Sequence, residues 1–233
     1  MNALRTGARG LGELLITLGL VLLLFVAWQL YWTDFTAGRA QASTDTTLQG
    51  SWKAHPNSAP GALQVDGKVK GVPMGDAFAL VRIPRFGKNY VKPVYQGTAL
   101  SILDQGIGHY PGTAWPGQIG NFAVAGHRVT YGKPFNEIAT IRPGDAIVVE
   151  TSNTWYVYRA VRHVIVTPNH IEVVAPVPQH PGQRPTEAWM TMTACHPEFS
   201  ARQRYVEFSK LEQVLPKRNG QIPAALAGVR ISG

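Results

Sequence analysis

The chain has 233 residues, 45% of them hydrophobic, with a net charge of +8 and a single cysteine. That length accommodates one domain plus appendages, and the apolar content argues against wholesale disorder. One cysteine excludes an intramolecular disulfide and any multi-cysteine zinc site. The basic residues are scattered instead of clustered, which speaks against nucleic acid as a partner and leaves anionic lipid or envelope polymer as the matching surroundings.

In chain order, the first element is Leu14 to Leu30, uncharged throughout and followed by Tyr31 and Trp32. Extended back to Leu11, the apolar run is interrupted only by Glu13 and matches the thickness of a bilayer core. Trp28, Tyr31 and Trp32 stand at its far end as interfacial aromatics would. Arg5 and Arg9 precede it, so the excess of positive charge places the N-terminus in the cytoplasm and residues 33 onward outside. A cleaved signal peptide is the competing reading. The length of the core and the bulky residues that follow it favour a retained single-pass anchor over residues 1–32.

Residues 33–75 change to Thr, Ser, Gln, Gly and Ala with little periodicity, which predicts a flexible linker. From residue 76 the pattern is one of short β segments between turn residues. Strands are expected at Ala77–Ile83, Tyr90–Tyr95, Asn121–Ala125, Ala146–Thr151, Trp155–Val166, Trp189–Thr193 and Arg204–Phe208. Helical turns are expected at Ser101–Leu103 and Pro134–Ile138. Pro168 to Pro185 holds five prolines and reads as a long loop. About eight short strands with little helix predict an all-β domain over residues 76–215, closed or nearly closed into a barrel. Residues 216–233 are rich in Gly, Pro and small side chains and read as a loosely held tail.

Three reactive residue types fall at strand edges. Cys195 follows the strand Trp189–Thr193, His127 follows an apolar strand and Gly126, and Arg204 opens the next strand nine residues after Cys195. A thiolate nucleophile, an imidazole for proton transfer and a guanidinium to stabilise an oxyanion are the parts of a thiol acyl-transfer site. Arg202 competes with Arg204 but lacks the alternating segment Tyr205–Phe208 that follows the latter. Blind to context, a lone cysteine is a small buried hydrophobe, and the constellation is what argues otherwise. His109, His163, His170 and His180 are expected to be solvated, and His196 to face away from Cys195.

With TMTACHPEFSAR at Thr191–Arg202, Arg204 beyond it, NFAVAGH ending at His127, and HYPGT at His109–Thr113, the chain resembles the sortases, membrane-anchored cysteine transpeptidases. Within them it is most similar to class E, the housekeeping enzymes of high-GC Gram-positive bacteria. The resemblance implies a sortase-like eight-stranded β-barrel with short helical turns behind one transmembrane helix. It implies Cys195, His127 and Arg204 as catalytic residues, with Tyr110, Thr113, Ala194 and His196 on the substrate side. It further implies cleavage of an LAxTG- or LPxTG-type signal between Thr and Gly through a thioester on Cys195. Transfer would then go to a cell-wall precursor amine of the lipid II type. The implied partners are secreted proteins with C-terminal sorting signals and membrane lipid, with no cofactor. Ala194 stands where the family has threonine, so a hydroxyl that would meet substrate or oxyanion is missing. Two rival readings follow: a hydrolase with water as acceptor, and a non-catalytic module that binds sorting signals.

Overall fold

The computed structural model describes residues 2–55, 71–217 and 220–229; the side chains of 2–4, 29–31 and 33, Tyr31 among them, also lie outside the described residues. Helix α1 spans Asn2–Ala54, and its stretch Arg5–Trp28 is long and apolar enough to cross a membrane. Its leucines and valines are exposed, as expected of a span without its lipid.

Among the described residues eight strands follow: β1 Ala77–Arg82, β2 Lys92–Gln96, β3 Ile107–His109, β4 Gly120–Ala125, β5 Ala146–Glu150, β6 Thr154–Val166, β7 Ala188–His196 and β8 Gln203–Pro216. They close into a barrel in the order β1-β2-β3-β4-β7-β8-β6-β5. The pairs β2–β3 and β4–β7 are parallel and the rest antiparallel. A short helix α2, Leu100–Leu103, bridges β2 and β3 where a helical turn was expected. The turn expected at Pro134–Ile138 forms instead as a 3-10 helix at Ile138–Thr140. Strand β3 was not foreseen, since three residues carry too little pattern to register.

Alternation sorts the barrel interior. Phe122 and Val124 of β4, Met190, Met192 and Ala194 of β7, and Tyr156, Tyr158 and Ala160 of β6 share one buried core. The outer faces are covered as well. Trp52 of α1 packs on Leu80, Leu226 packs on Val148, Trp155 and Val157, and Val173 of the β6–β7 loop packs on Val206 and Phe208. Every residue of β4 is buried, as befits a strand with parallel pairing and both faces shielded.

Two domain boundaries therefore differ from expectation. Residues 33–54 are a continuation of α1, not a flexible linker, because Ala37, Gln41, Thr44, Leu48 and Trp52 form one helical face laid against the barrel. Residues 56–70 of the expected linker lie outside the described residues. The segment beyond 215 is likewise not loose where described: β8 runs on to Pro216, and a 3-10 turn at Ala224–Leu226 buries Leu226 to 2% exposure.

Two buried titratable groups tie stability to pH with opposite sign. His109, expected to be solvated, is 1% exposed among Phe78, Trp115 and Phe122, and burial lowers its pKa from 6.5 to about 4. The unfolded chain therefore takes up this proton first, so stability present above pH 6.5 is lost as pH falls toward 4. The size is about 3 kcal/mol. Glu207, turned into the barrel, is raised by burial from 4.5 to about 8. Its contribution is complete below pH 4.5 and disappears as pH rises through 8. Between pH 4.5 and 6.5 the slopes oppose and urea midpoints should be nearly flat. His109→Gln should leave stability falling steadily across that window, and Glu207→Gln should leave it rising. A window equally flat in either variant would refute the assignment.

Candidate active site

The reactive residues converge because of strand register. In the antiparallel β7–β8 pair Cys195 lies directly opposite Arg204. In the parallel β4–β7 pair Ala125 lies beside Thr193, and Gly126 N donates to Thr193 O at 3.1 Å. Two residues beyond this last pair stand His127 on the one chain segment and Cys195 on the other, at the same end of the barrel. Gly126 is required there by space: a Cβ would lie 2.7 Å from the Phe135 ring, which packs beneath the turn. Cys195 is partly exposed, as a nucleophile must be.

His127 Nε2–H donates to Asp104 Oδ1 at 3.0 Å, and its ring lies 5.2 Å from that of Tyr131. Asp104 caps α2 and carried no signal in the sequence; only the fold brings it within reach. A carboxylate on an imidazole fixes the orientation of its ring. Asp104→Asn should lower kcat about tenfold with KM and melting temperature unchanged, and Asp104→Glu should restore most of it. A kcat drop that Glu does not rescue, with a matching fall in melting temperature, would make the contact structural.

The Arg204 guanidinium donates from Nη1 to the carbonyls of Ala201 (2.9 Å) and Gln203 (3.0 Å), beside the cleft. A second guanidinium, unforeseen, belongs to Arg128, which is 7% exposed. Its Nη1 donates to His196 Nδ1 at 2.9 Å and to the Cys195 carbonyl at 3.4 Å, and its Nη2 lies 3.6 Å from Glu198. Its position directly after His127 was the one available hint. His196 is thus held by Arg128, off the face that carries Cys195.

A cleft of about 120 Å³ opens beside Arg204, lined by Tyr110, Thr193, Val166, Ile171 and Val173. Tyr110 Oη pairs with Thr193 Oγ1 at 3.0 Å across it. An adjoining hollow of about 320 Å³ shares Val174 and is bounded by Thr113, Ile119 and Pro185. The loop forming the cleft's outer wall is pinned by Asn121, whose Nδ2 donates to the carbonyls of Val173 (3.3 Å) and Ala175 (2.9 Å) while Oδ1 accepts from Thr191.

The Thr113 hydroxyl is taken up within its own turn, and Ala194 faces the core. The Thr113 hydroxyl is engaged by His109 Nε2 (2.9 Å) and donates to Tyr110 O (2.8 Å), while Nδ1 of His109 pairs with the Gln96 amide at 2.6 Å. These bonds hold the turn after β3. Ala194 is 2% exposed and faces the core beside Met192 and Tyr205, so a hydroxyl there would point into the barrel and not toward the groove.

Comparison with known proteins fits this geometry. The sortase domain pattern matches residues 81–212. Sortase SrtE1 of Streptomyces coelicolor is 36% identical over 227 residues, covering 94% of this chain and 61% of its own length. The chain thus spans less than two thirds of that relative. Sortase E from Streptomyces avermitilis superposes with TM-score 0.60 at 39% identity, covering 66% of this chain and 99% of that one. Sortase E1 from S. coelicolor with a tripeptide in its active site gives TM-score 0.60 at 37% identity, over 65% and 97% of the two chains. A closed eight-stranded barrel and a sortase domain match over more than half the chain place this protein in the sortase family of cysteine transpeptidases, with relatives in class E.

Proposed function

We propose that this chain is a membrane-anchored transpeptidase that cleaves an LAxTG- or LPxTG-type signal between Thr and Gly and joins the new C-terminus to an envelope amine. The observation that carries the reading is the register that sets Cys195 against Arg204 with His127 on the neighbouring strand end. In the reaction the Cys195 thiolate attacks the Thr carbonyl, and the tetrahedral oxyanion collapses to a thioester as the C–N bond breaks. His127, steadied by Asp104, gives its proton to the departing glycine amine. An incoming amine, supplied by a cell-wall precursor of the lipid II type, attacks the thioester, and His127 takes the proton it sheds. Arg204, opposite Cys195 in the β7–β8 ladder, takes the role of holding the signal's backbone and the oxyanion. The apolar lining of the small cleft, Val166, Ile171 and Val173, suits the signal's leucine side.

The N-terminus is read as cytoplasmic and the barrel as extracellular. Ala194 was the one feature that favoured a module binding signals without cleaving them, and its burial removes that support. Purified protein should be incubated with a quenched LAxTG or LPxTG peptide and triglycine, with products followed by mass spectrometry. A thioester on Cys195 and a Thr–triglycine adduct are expected. Hydrolysed peptide alone would favour the hydrolase, and binding of both peptides without cleavage would defeat the enzymatic reading.

A further inference from the structure

Helix α1 does not break between the apolar span and the barrel. The span ends at Trp28, and the helix continues to Ala54. Asp34 is the sixth residue past Trp28, about 9 Å further along the axis at the rise of an α-helix. The polar layer flanking a bilayer's hydrocarbon core is roughly 5–8 Å thick on each side. Asp34 therefore falls within or just beyond the headgroup layer.

There the helix grips the turn that follows His127. Asp34 Oδ1 accepts from Gly132 N at 3.1 Å, and Oδ2 pairs with Lys133 Nζ at 3.1 Å. Two turns on, Gln41, 3% exposed, donates from Nε2 to Tyr131 O at 3.0 Å. Its Oε1 accepts from Lys92 Nζ at 2.6 Å, and Lys92 in turn donates to Gly132 O at 3.0 Å. Tyr131 and Lys133 carry φ of 53° and 35°, a conformation costly for non-glycine residues that persists only where surrounding contacts impose it. At Gly132 a Cβ would fall 2.8 Å from the Gln41 side-chain amide, so the turn's backbone packs directly on that side chain. The Tyr131 ring rests on His127. A continuous run of contacts thus joins the membrane span to the catalytic imidazole.

We propose that α1 is a ruler that lays the His127 rim of the barrel on the lipid headgroup surface, so that the site meets an amine carried on a lipid-bound acceptor. The acceptor half of this inference rests on the transfer reaction proposed above; the placement of the rim does not. A freely tethered barrel would sample many heights and orientations. A barrel clamped through Asp34 and Gln41 keeps its rim at one height.

The test uses the full chain in phosphatidylcholine–phosphatidylglycerol vesicles and compares it with a variant carrying seven helix-forming residues inserted after Trp32. That insertion lifts the barrel by about 10 Å while turning it only about 20°. Thr130→Cys, labelled with a fluorophore in a Cys195→Ala background, reports depth through quenching by headgroup-nitroxide lipid. Quenching is expected in the parent and should fall at least twofold in the insertion variant. In the active proteins, transfer to soluble triglycine should stay within twofold. Transfer to triglycine tethered on phosphatidylethanolamine should fall at least tenfold. The double variant Asp34→Ala, Gln41→Ala leaves the helix length intact, and it too should lose quenching and lipid-tethered transfer. An unquenched parent, or equal lipid-tethered transfer in parent and insertion variant, would overturn the ruler. If the parent uses neither amine, the transfer reaction itself is wrong, and the quenching result still decides the placement.

Discussion

Cys195→Ala in the full chain should form no thioester and cleave no signal peptide, a loss of at least about 10⁴-fold in kcat. The reason is chemical. The register leaves one thiol at the rim, and among the groups beside it neither His127, Arg204 nor Asp104 can replace a thiolate as a nucleophile toward an amide. The fold should survive, since Cys195 is partly exposed and its neighbours Thr193 and Arg204 keep their ladder partners. The melting temperature should therefore be unchanged, and peptide binding retained. Cys195→Ser should rescue little, because an alkoxide is far harder to generate than a thiolate under the same imidazole. Residual cleavage of more than about a hundredth of the parent rate would require a different nucleophile and would sink the proposed chemistry.

Arg204→Lys should lower kcat about 10²- to 10³-fold, the usual cost of removing one oxyanion donor. A lysine keeps the charge but loses the planar fork that can hold a backbone carbonyl and an oxyanion together. At rest the Arg204 fork is turned to the carbonyls of Ala201 and Gln203. Substrate must therefore draw at least part of it away, which a partly exposed side chain can do. Arg128 makes the informative contrast, being the guanidinium bonded to the Cys195 carbonyl and to His196 within a buried pocket. Arg128→Lys should show mainly as lost stability, about 1–3 kcal/mol from broken buried hydrogen bonds, with a smaller effect on kcat. If Arg128→Lys instead removes catalysis while Arg204→Lys is mild, the oxyanion role belongs to Arg128.

The difference between these two arginines shows how far local pattern reaches. Arg204 is visible in the chain because it opens an alternating segment, and strands with alternation announce their edges. Arg128 follows a glycine-containing turn, where the direction of a side chain depends on a backbone path that no periodicity reveals. Asp104 is still less visible, since it reaches His127 only after β2, α2, β3 and β4 have been assembled. His109 looked solvated because histidine is usually exposed and its strand is three residues long. Its burial comes from the aromatic side chains of three separate segments closing on it.

Residues 33–54 illustrate the same limit in a helix. The face Ala37, Gln41, Thr44, Leu48, Trp52 has helical spacing, but three of its members are small or polar, and Gly38, Gly50 and several threonines weaken the intrinsic propensity. A search for apolar periodicity passes over it, and hydrogen bonds to the 131–133 turn, Lys92 and Tyr95 do what apolar contacts do elsewhere.

The apolar span, the eight-stranded barrel domain and the strand-end positions of Cys195, His127 and Arg204 were all legible in the chain, because each rests on short-range pattern: hydropathy over one helix length, alternation along a strand, and the residues at which strands begin and end. Tertiary structure alone decided that Ala194 faces the core, that Asp104 and Arg128 join the site, that the C-terminal segment buries Leu226, and that the helix leaving the membrane clasps the histidine turn. Those outcomes depend on contacts between residues tens of positions apart, where the energy lies in complementary surfaces that local spacing does not encode.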